Sequence, residues 1–248
     1  MTAQPRSESF GIRLDAPSAV RSASMACANA PADISQADEG AGGSLHHGVY
    51  RDRVKRLLDV VLVLVSLPVT VPLIALAAAL VSLQGGRPFY TQPRVGRGGA
   101  LFRMWKLRTM EVGAEHSLET HLARDPALRA EWDAHQKLRR DPRITRIGQF
   151  LRKSSLDELP QIWNILRGDM SLVGPRPMMP FQRALYSGSA YYRLRPGLTG
   201  LWQVSARNDS VFAYRAACDS RYERRMSLLL DVKLILFTFV VVFRGTGQ

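Results

Sequence analysis

Cysteine is nearly absent from this sequence: Cys27 and Cys218 are the two it holds in 248 residues. That scarcity argues against a disulfide framework and fits a reducing, cytosolic setting. The five histidines, His46, His47, His116, His121 and His135, show no zinc-ligand spacing with cysteine or with one another. Acidic residues are also outnumbered, 21 Asp and Glu against 34 Lys and Arg, for a formal net charge of +13. Such an excess directs attention to anionic partners: phosphates, nucleic acid or an acidic membrane surface. Aromatic side chains, at 8% of the chain, are not interleaved with the basic ones as the stacking platforms of a nucleic-acid binder require. No nucleic acid is therefore expected as a partner. Internal repeats are missing too. A secretory leader is not expected, because the only long apolar run starts too late.

What the sequence does contain is unevenly distributed. The first 48 residues hold three arginines against five acidic residues, so the basic excess belongs to the body of the chain. Residues 1–46, rich in Ala, Ser, Gly, Pro and Asp, lack apolar periodicity and are expected to form a disordered tail. From Val60 to Val81 follow 22 residues without a charge, VVLVLVSLPVTVPLIALAAALV, enough to cross a bilayer as a helix. Positive charge flanks the run on both sides, with Arg51, Arg53, Lys55 and Arg56 before it and Arg87, Arg94, Arg97, Arg103, Lys106 and Arg108 after it. If positive flanks stay inside, both ends are cytoplasmic. Pro68 and Pro72 interrupt the middle, so the expectation is a re-entrant helical hairpin, with a single-pass anchor as the alternative.

Beyond the run, Gly96, Gly98 and Gly99 read as a turn between two short strands. Residues 114–139 read as a charged, solvated helix broken at Asp125-Pro126. Leu228 to Phe243, interrupted by Asp231 and Lys233, reads as an interfacial or core-packed helix.

The chemistry concentrates between Asp141 and Pro177, DPRITRIGQFLRKSSLDELPQIWNILRGDMSLVGPRP. There Arg143, Arg146, Arg152, Lys153, Arg167 and Arg176 surround one acidic pair, Asp157-Glu158. Guanidinium groups match phosphate oxygens bidentately. Carboxylates in such a site repel phosphate unless a divalent cation lies between them or one carboxylate attacks phosphorus. The plainer reading is structural: Ser155-Leu156-Asp157-Glu158 fits a capping box, Pro160 suits a first turn, and Leu159, Ile162, Trp163 and Leu166 complete an amphipathic helix. Both readings stand on the residues alone.

Six ordered motifs add to this: KRLLD at 55–59, QPRVG at 92–96, WKLRTM at 105–110, the 141–177 segment, RPGLTGLWQVSARN at 195–208 and LLLDVK at 228–233. Together they resemble the bacterial sugar transferase family, the monotopic polyprenyl-phosphate phosphoglycosyl transferases, and most closely its short exopolysaccharide-initiating members. The resemblance implies transfer of a sugar 1-phosphate from a UDP-sugar, galactose or glucose for preference, to undecaprenyl phosphate with release of UMP, at the cytoplasmic face of the bacterial inner membrane. It implies Asp157 as nucleophile and Glu158 as its partner holding Mg²⁺. Lys106, Arg152, Arg176 and Arg207 match the basic residues around phosphate, while Asp169 and Asp231 match recurrent acids with supporting roles. Membrane lipid, a second copy of the chain and downstream glycosyltransferases are further implied partners. Two departures are visible: Val71-Pro72 stands where the family commonly has Ser-Pro, and TGLWQ where many relatives have TGWAQ.

The expected architecture is α+β and mainly helical: the tail over 1–46, a membrane-associated re-entrant helix over 47–84, and a cytoplasmic catalytic domain over 85–248 with a small β-hairpin and interfacial helices. A non-catalytic scaffold of the same fold and a basic nucleic-acid binder are the competing functions.

Overall fold

The computed structural model describes residues 50–135, 138, 140–205 and 212–243. The expected tail lies outside the described residues. A short π-helical turn, Tyr50–Val54, leads into α1, Lys55–Ser82. A helix of this length is about 42 Å long at 1.5 Å per residue. Its buried apolar side chains form one stripe, Val63, Ala77 and Val81, with Leu67 and Ile74 partly covered between them. The opposite face leaves Val61, Leu64, Val65, Val69, Val71, Leu73, Leu76 and Leu80 exposed. By length and composition α1 is able to cross a membrane.

Its packing bears on how it meets one. Near the N-terminal end Val63 joins Met104, Ile162, Ile165 and Met170; near the other end Ala77 and Val81 join Leu107 and Leu151. Both ends thus rest on one globular body, whereas a spanning helix carries its ends to opposite surfaces. The two-helix hairpin expected at the prolines is not seen as two elements, because α1 runs unbroken through Pro68 and Pro72. Each proline removes one helical hydrogen bond. The hydroxyls of Ser66 and Thr70 bond back to the carbonyls of Val63 and Ser66 at 2.8 and 3.0 Å, and packing at both ends holds the halves in line.

Strands β1, Phe89–Val95, and β2, Leu101–Leu107, pair antiparallel from Phe89↔Leu107 to Val95↔Leu101, as the glycine-rich turn predicts. Gly98 and Gly99 take φ of 68° and 83°, which a glycine adopts without steric cost. After β2 come α2, Ala114–Arg124, and α3, Pro126–His135, separated at the expected Asp125-Pro126 break. Then follow α4, Arg146–Lys153; a 3₁₀ segment, Leu156–Gln161; and α5, Ile162–Arg167. A second, parallel two-stranded sheet pairs β3, Ser171–Val173, with β4, Gly197–Thr199. Between these strands lie a 3₁₀ segment, Pro180–Leu185, and α6, Ala190–Arg193. The chain continues with α7, Leu201–Ser205; α8, Phe212–Arg225; and α9, Leu228–Phe243.

The largest core joins Val173, Leu194 and Leu201 to Tyr214, Cys218, Tyr222 and Met226 of the α8 region and Leu234 of α9. Only one face of α9 enters it, since Leu228, Leu229, Val232, Leu236, Phe239 and Val240 remain exposed. The start of α1 is tied to this core by polar groups. Asp231, 1% exposed, receives the Lys55 ammonium at 2.5 Å and the hydroxyls of Tyr50 and Tyr222 at 2.7 and 2.6 Å. One turn along α1, Asp59 accepts from Ser171 Oγ at 3.1 Å and from the Leu172 N–H at 3.0 Å.

A further buried acid sits on α8. Burial pushes the Asp219 carboxyl up to about 7, against the lowering influence of Arg215 and of the Tyr186 hydroxyl that donates to it at 3.0 Å. The folded chain therefore keeps this proton to higher pH than the unfolded chain, which releases it in the ordinary carboxylate range. Stability should fall as pH rises through the window between those two values and level off above about 7. Asp219→Asn removes the titration, so the stability difference between variant and wild type should shift in the variant's favour between pH 5 and pH 8. Unfolding midpoints at the two pH values check this.

Candidate active site

Lys106 is the centre of the site, and the β-hairpin positions it. Its register partner is Tyr90, and alternate residues Tyr90, Gln92 and Arg94 of β1 line one cleft with Lys106 and Arg108. The side chain of Asn164, 1% exposed, locks this strand to α5: its Oδ1 accepts from the Trp105 N–H at 3.0 Å and its Nδ2 donates to the Arg103 carbonyl at 2.8 Å. Asn164 also donates to Asp169 at 3.2 Å, which gives that acid a supporting place. The 3₁₀ segment before α5 then sets the acidic pair against the strand. Lys106 Nζ donates to Glu158 Oε1 at 2.8 Å and lies 3.6 Å from Asp157 Oδ2.

The expected capping box does not form, although the pair and Pro160 do lie in the 3₁₀ segment, the acids in its first turn. Ser155 is left-handed at φ 57° and its side chain caps nothing, because the chain turns sharply after α4. Asp157 and Glu158 sit on the 3₁₀ segment, and α5 begins only at Ile162. Of the expected apolar face, Ile162 is buried while Trp163 is exposed.

On the second wall, α4 is capped by Thr145, whose Oγ1 accepts from the Gly148 N–H at 2.9 Å. Gly148 lets the helix touch the backbone beyond β2: a Cβ there would stand 1.9 Å from the Thr109 carbonyl oxygen. That contact brings Arg152 to the cleft, with Nε donating to Thr109 Oγ1 at 2.8 Å. Arg176 completes the wall. Its guanidinium lies 5.6 Å from the Trp202 ring centroid, and Arg215 Nη2 donates to its carbonyl at 2.7 Å.

The cleft measures about 800 Å³ and brings together Asp157, Glu158, Lys106, Arg152 and Arg176. Arg207 lies outside the described residues. Two other basic residues of the segment are used elsewhere: Arg143 pairs with Asp141 at 2.6 Å and Arg167 approaches Asp169 at 3.5 Å. Sequence reasoning missed Arg94, Gln92 and Tyr90, although strand periodicity puts all three on one face. It also assigned only solvated charge to the start of α2, where Glu115 and His116 line the cleft together with Glu111.

The electrostatics around Asp157 and Lys106 are those of a desolvated site. Burial raises the Asp157 carboxyl above its ordinary range, and nearby Glu158 adds to this against the opposing pull of Lys106. For Lys106 burial works downward, but Glu158 and Asp157 outweigh it and the ammonium is raised. The arrangement is a carboxylate short of solvation beside a fixed cation. Among the described residues no three His, Cys, Asp or Glu side chains converge. The two adjacent carboxylates fit Mg²⁺, which takes one or two protein carboxylates and completes its shell with phosphate oxygens and water.

The profile described as bacterial sugar transferase matches residues 50–245, and the chain belongs to that family. It is 46% identical over 196 residues to the UDP-galactose-lipid carrier transferase of Erwinia amylovora, covering 78% of this chain and 41% of that protein. To the exopolysaccharide production protein ExoY of Rhizobium meliloti it is 44% identical over 197 residues, 78% of this chain and 87% of the other. It is 40% identical over 198 residues to the UDP-glucose:undecaprenyl-phosphate glucose-1-phosphate transferase of Caulobacter vibrioides, 75% and 68% of the two chains. The match spans less than half the length of the longer relatives.

Proposed function

We propose that this chain moves a sugar 1-phosphate from a UDP-sugar to undecaprenyl phosphate, releasing UMP, as the first step of exopolysaccharide assembly at the cytoplasmic face of the bacterial inner membrane. The observation that carries this reading is an adjacent acidic pair, the buried Asp157 and its neighbour Glu158, set against Lys106 in a cleft that Arg94, Arg152 and Arg176 also line. The names of the relatives supply the acceptor, a polyprenyl phosphate, and favour galactose or glucose as the sugar.

In the first step an Asp157 oxygen attacks the sugar-bearing phosphorus, forming an acyl-phosphate bond while the phosphorus–oxygen bond to UMP breaks and UMP takes the electron pair. In the second, a phosphate oxygen of the lipid attacks the same phosphorus and the Asp157 carboxylate leaves. Lys106 holds the two carboxylates in place, and Arg152 and Arg176 bind phosphate oxygens. Mg²⁺ at Glu158 would neutralise diphosphate charge. A non-catalytic scaffold has no use for a carboxylate held short of water beside a lysine.

The test is UMP release by membranes containing the protein, supplied with undecaprenyl phosphate, Mg²⁺ and a panel of UDP-hexoses and UDP-N-acetylhexosamines. Release with a hexose donor, lost on chelation, is expected. No release from any donor would reject the reading.

The same proposal has α1 dip into one leaflet by its exposed apolar stripe, with both ends at the cytoplasmic surface. Exposed cysteines placed at Arg53 and Arg97, in a chain with Cys27 replaced by Ser, should both be labelled from the cytoplasmic side only. Labelling from opposite sides would make α1 a spanning anchor.

A further inference from the structure

We infer that Arg94 and Arg176 form one phosphate seat used twice, by the phosphate of UMP as it departs and by the phosphate of the lipid acceptor as it attacks. The inference rests on the two-step transfer proposed above. In-line displacement puts the leaving oxygen opposite Asp157 in the first step. Asp157 is itself the leaving group in the second, so the incoming oxygen must occupy that same opposite position. One binding place for a phosphate therefore serves both half-reactions.

Arg94 has the features of such a place. It lies on the cleft-facing side of β1, four residues beyond the register partner of Lys106, or about 13 Å of strand. Its guanidinium is steered by two bonds, Nη1 to the Pro177 carbonyl at 3.2 Å and Nη2 to Gln92 Oε1 at 2.7 Å, while its Nε is buried with no hydrogen-bond partner among the described residues. An unsatisfied buried N–H is costly unless a ligand accepts from it. Like charge is near, since Arg94 bonds the carbonyl of Pro177, the residue after Arg176, and both arginines line the cleft. Burial, with Arg176 next in size, pulls the Arg94 guanidinium down to about 10. Among the described residues no carboxylate forms an ion pair with either arginine. Two arginines lining one cleft without such a counter-ion suit a dianionic phosphate. Arg176 is positioned from behind by Arg215, which bonds its carbonyl and lies 5.3 Å from the Trp202 ring that Arg176 also covers.

The test measures UMP binding to the full chain in detergent with Mg²⁺ present, together with the KM for farnesyl phosphate, a short polyprenyl phosphate. Arg94→Gln should weaken UMP and raise the farnesyl phosphate KM, each by about tenfold or more. Arg94→Lys should recover part of both. On the wild type, farnesyl phosphate should displace UMP competitively, an outcome that does not depend on any variant folding. A loss confined to UMP, a loss confined to the lipid, or non-competitive behaviour on the wild type would each overturn the shared seat. If UMP is released normally but Arg94→Gln binds both ligands as the wild type does, this inference fails and the transfer reaction stands. If no UDP-sugar yields UMP, it is the reaction that fails.

Discussion

Asp157→Asn should fold, stay with the membrane and release almost no UMP. The side chain keeps its volume, and its loss of charge relieves a group already short of solvation, so the unfolding midpoint should move little. An amide oxygen cannot form the acyl phosphate, and removing a nucleophile typically lowers turnover by several orders of magnitude. Glu158→Gln should also fail, with a changed Mg²⁺ requirement, because it removes a charged oxygen donor while leaving Asp157 in place. A structural role for the pair would give the opposite pattern, with a shifted midpoint and retained turnover. UMP release and circular dichroism melts on the same preparations separate the two.

The second large effect is on stability. Lys55→Met leaves Asp231 buried without its cation, although the hydroxyls of Tyr50 and Tyr222 still donate to it. Breaking one side of a buried ion pair costs about 3–5 kcal/mol. The loss should appear as a lowered denaturant midpoint in detergent, with the start of α1 loosened from α9. Combining Lys55→Met with Asp231→Asn should restore much of it, since a neutral amide can still accept from a tyrosine hydroxyl. Equal destabilisation in the single and double variants would show that packing of the lysine stem, rather than charge, holds this junction.

Some of this organisation was legible in the residues alone. The uncharged run of α1, the glycine turn of the β-hairpin and the lone acidic pair among arginines are local patterns, and local patterns report local geometry. The remainder depends on contacts distant in sequence. Asn164 reaches β2 from α5, and no spacing rule links them. Arg94 and Glu115 become cleft residues only once the hairpin, α2 and the 3₁₀ segment come to line one cleft. The left-handed turn at Ser155 was hidden for a different reason, since a non-glycine residue with positive φ is imposed by its surroundings and leaves no mark in composition. The pattern SLDE matched a capping box by residue type, and the backbone in front of it took a conformation in which no box can form. The prolines of α1 likewise point to a break that packing at both ends outweighs.

The central claim is the covalent role of Asp157, and intact-protein mass spectrometry addresses it most directly. Wild-type protein incubated with its UDP-sugar and Mg²⁺, with the lipid acceptor withheld, should gain the mass of one sugar phosphate on the peptide containing residue 157. The adduct should disappear when undecaprenyl phosphate is added and never form on Asp157→Asn. Unmodified protein throughout, with full turnover once lipid is supplied, would contradict the account and point to direct transfer from donor to acceptor.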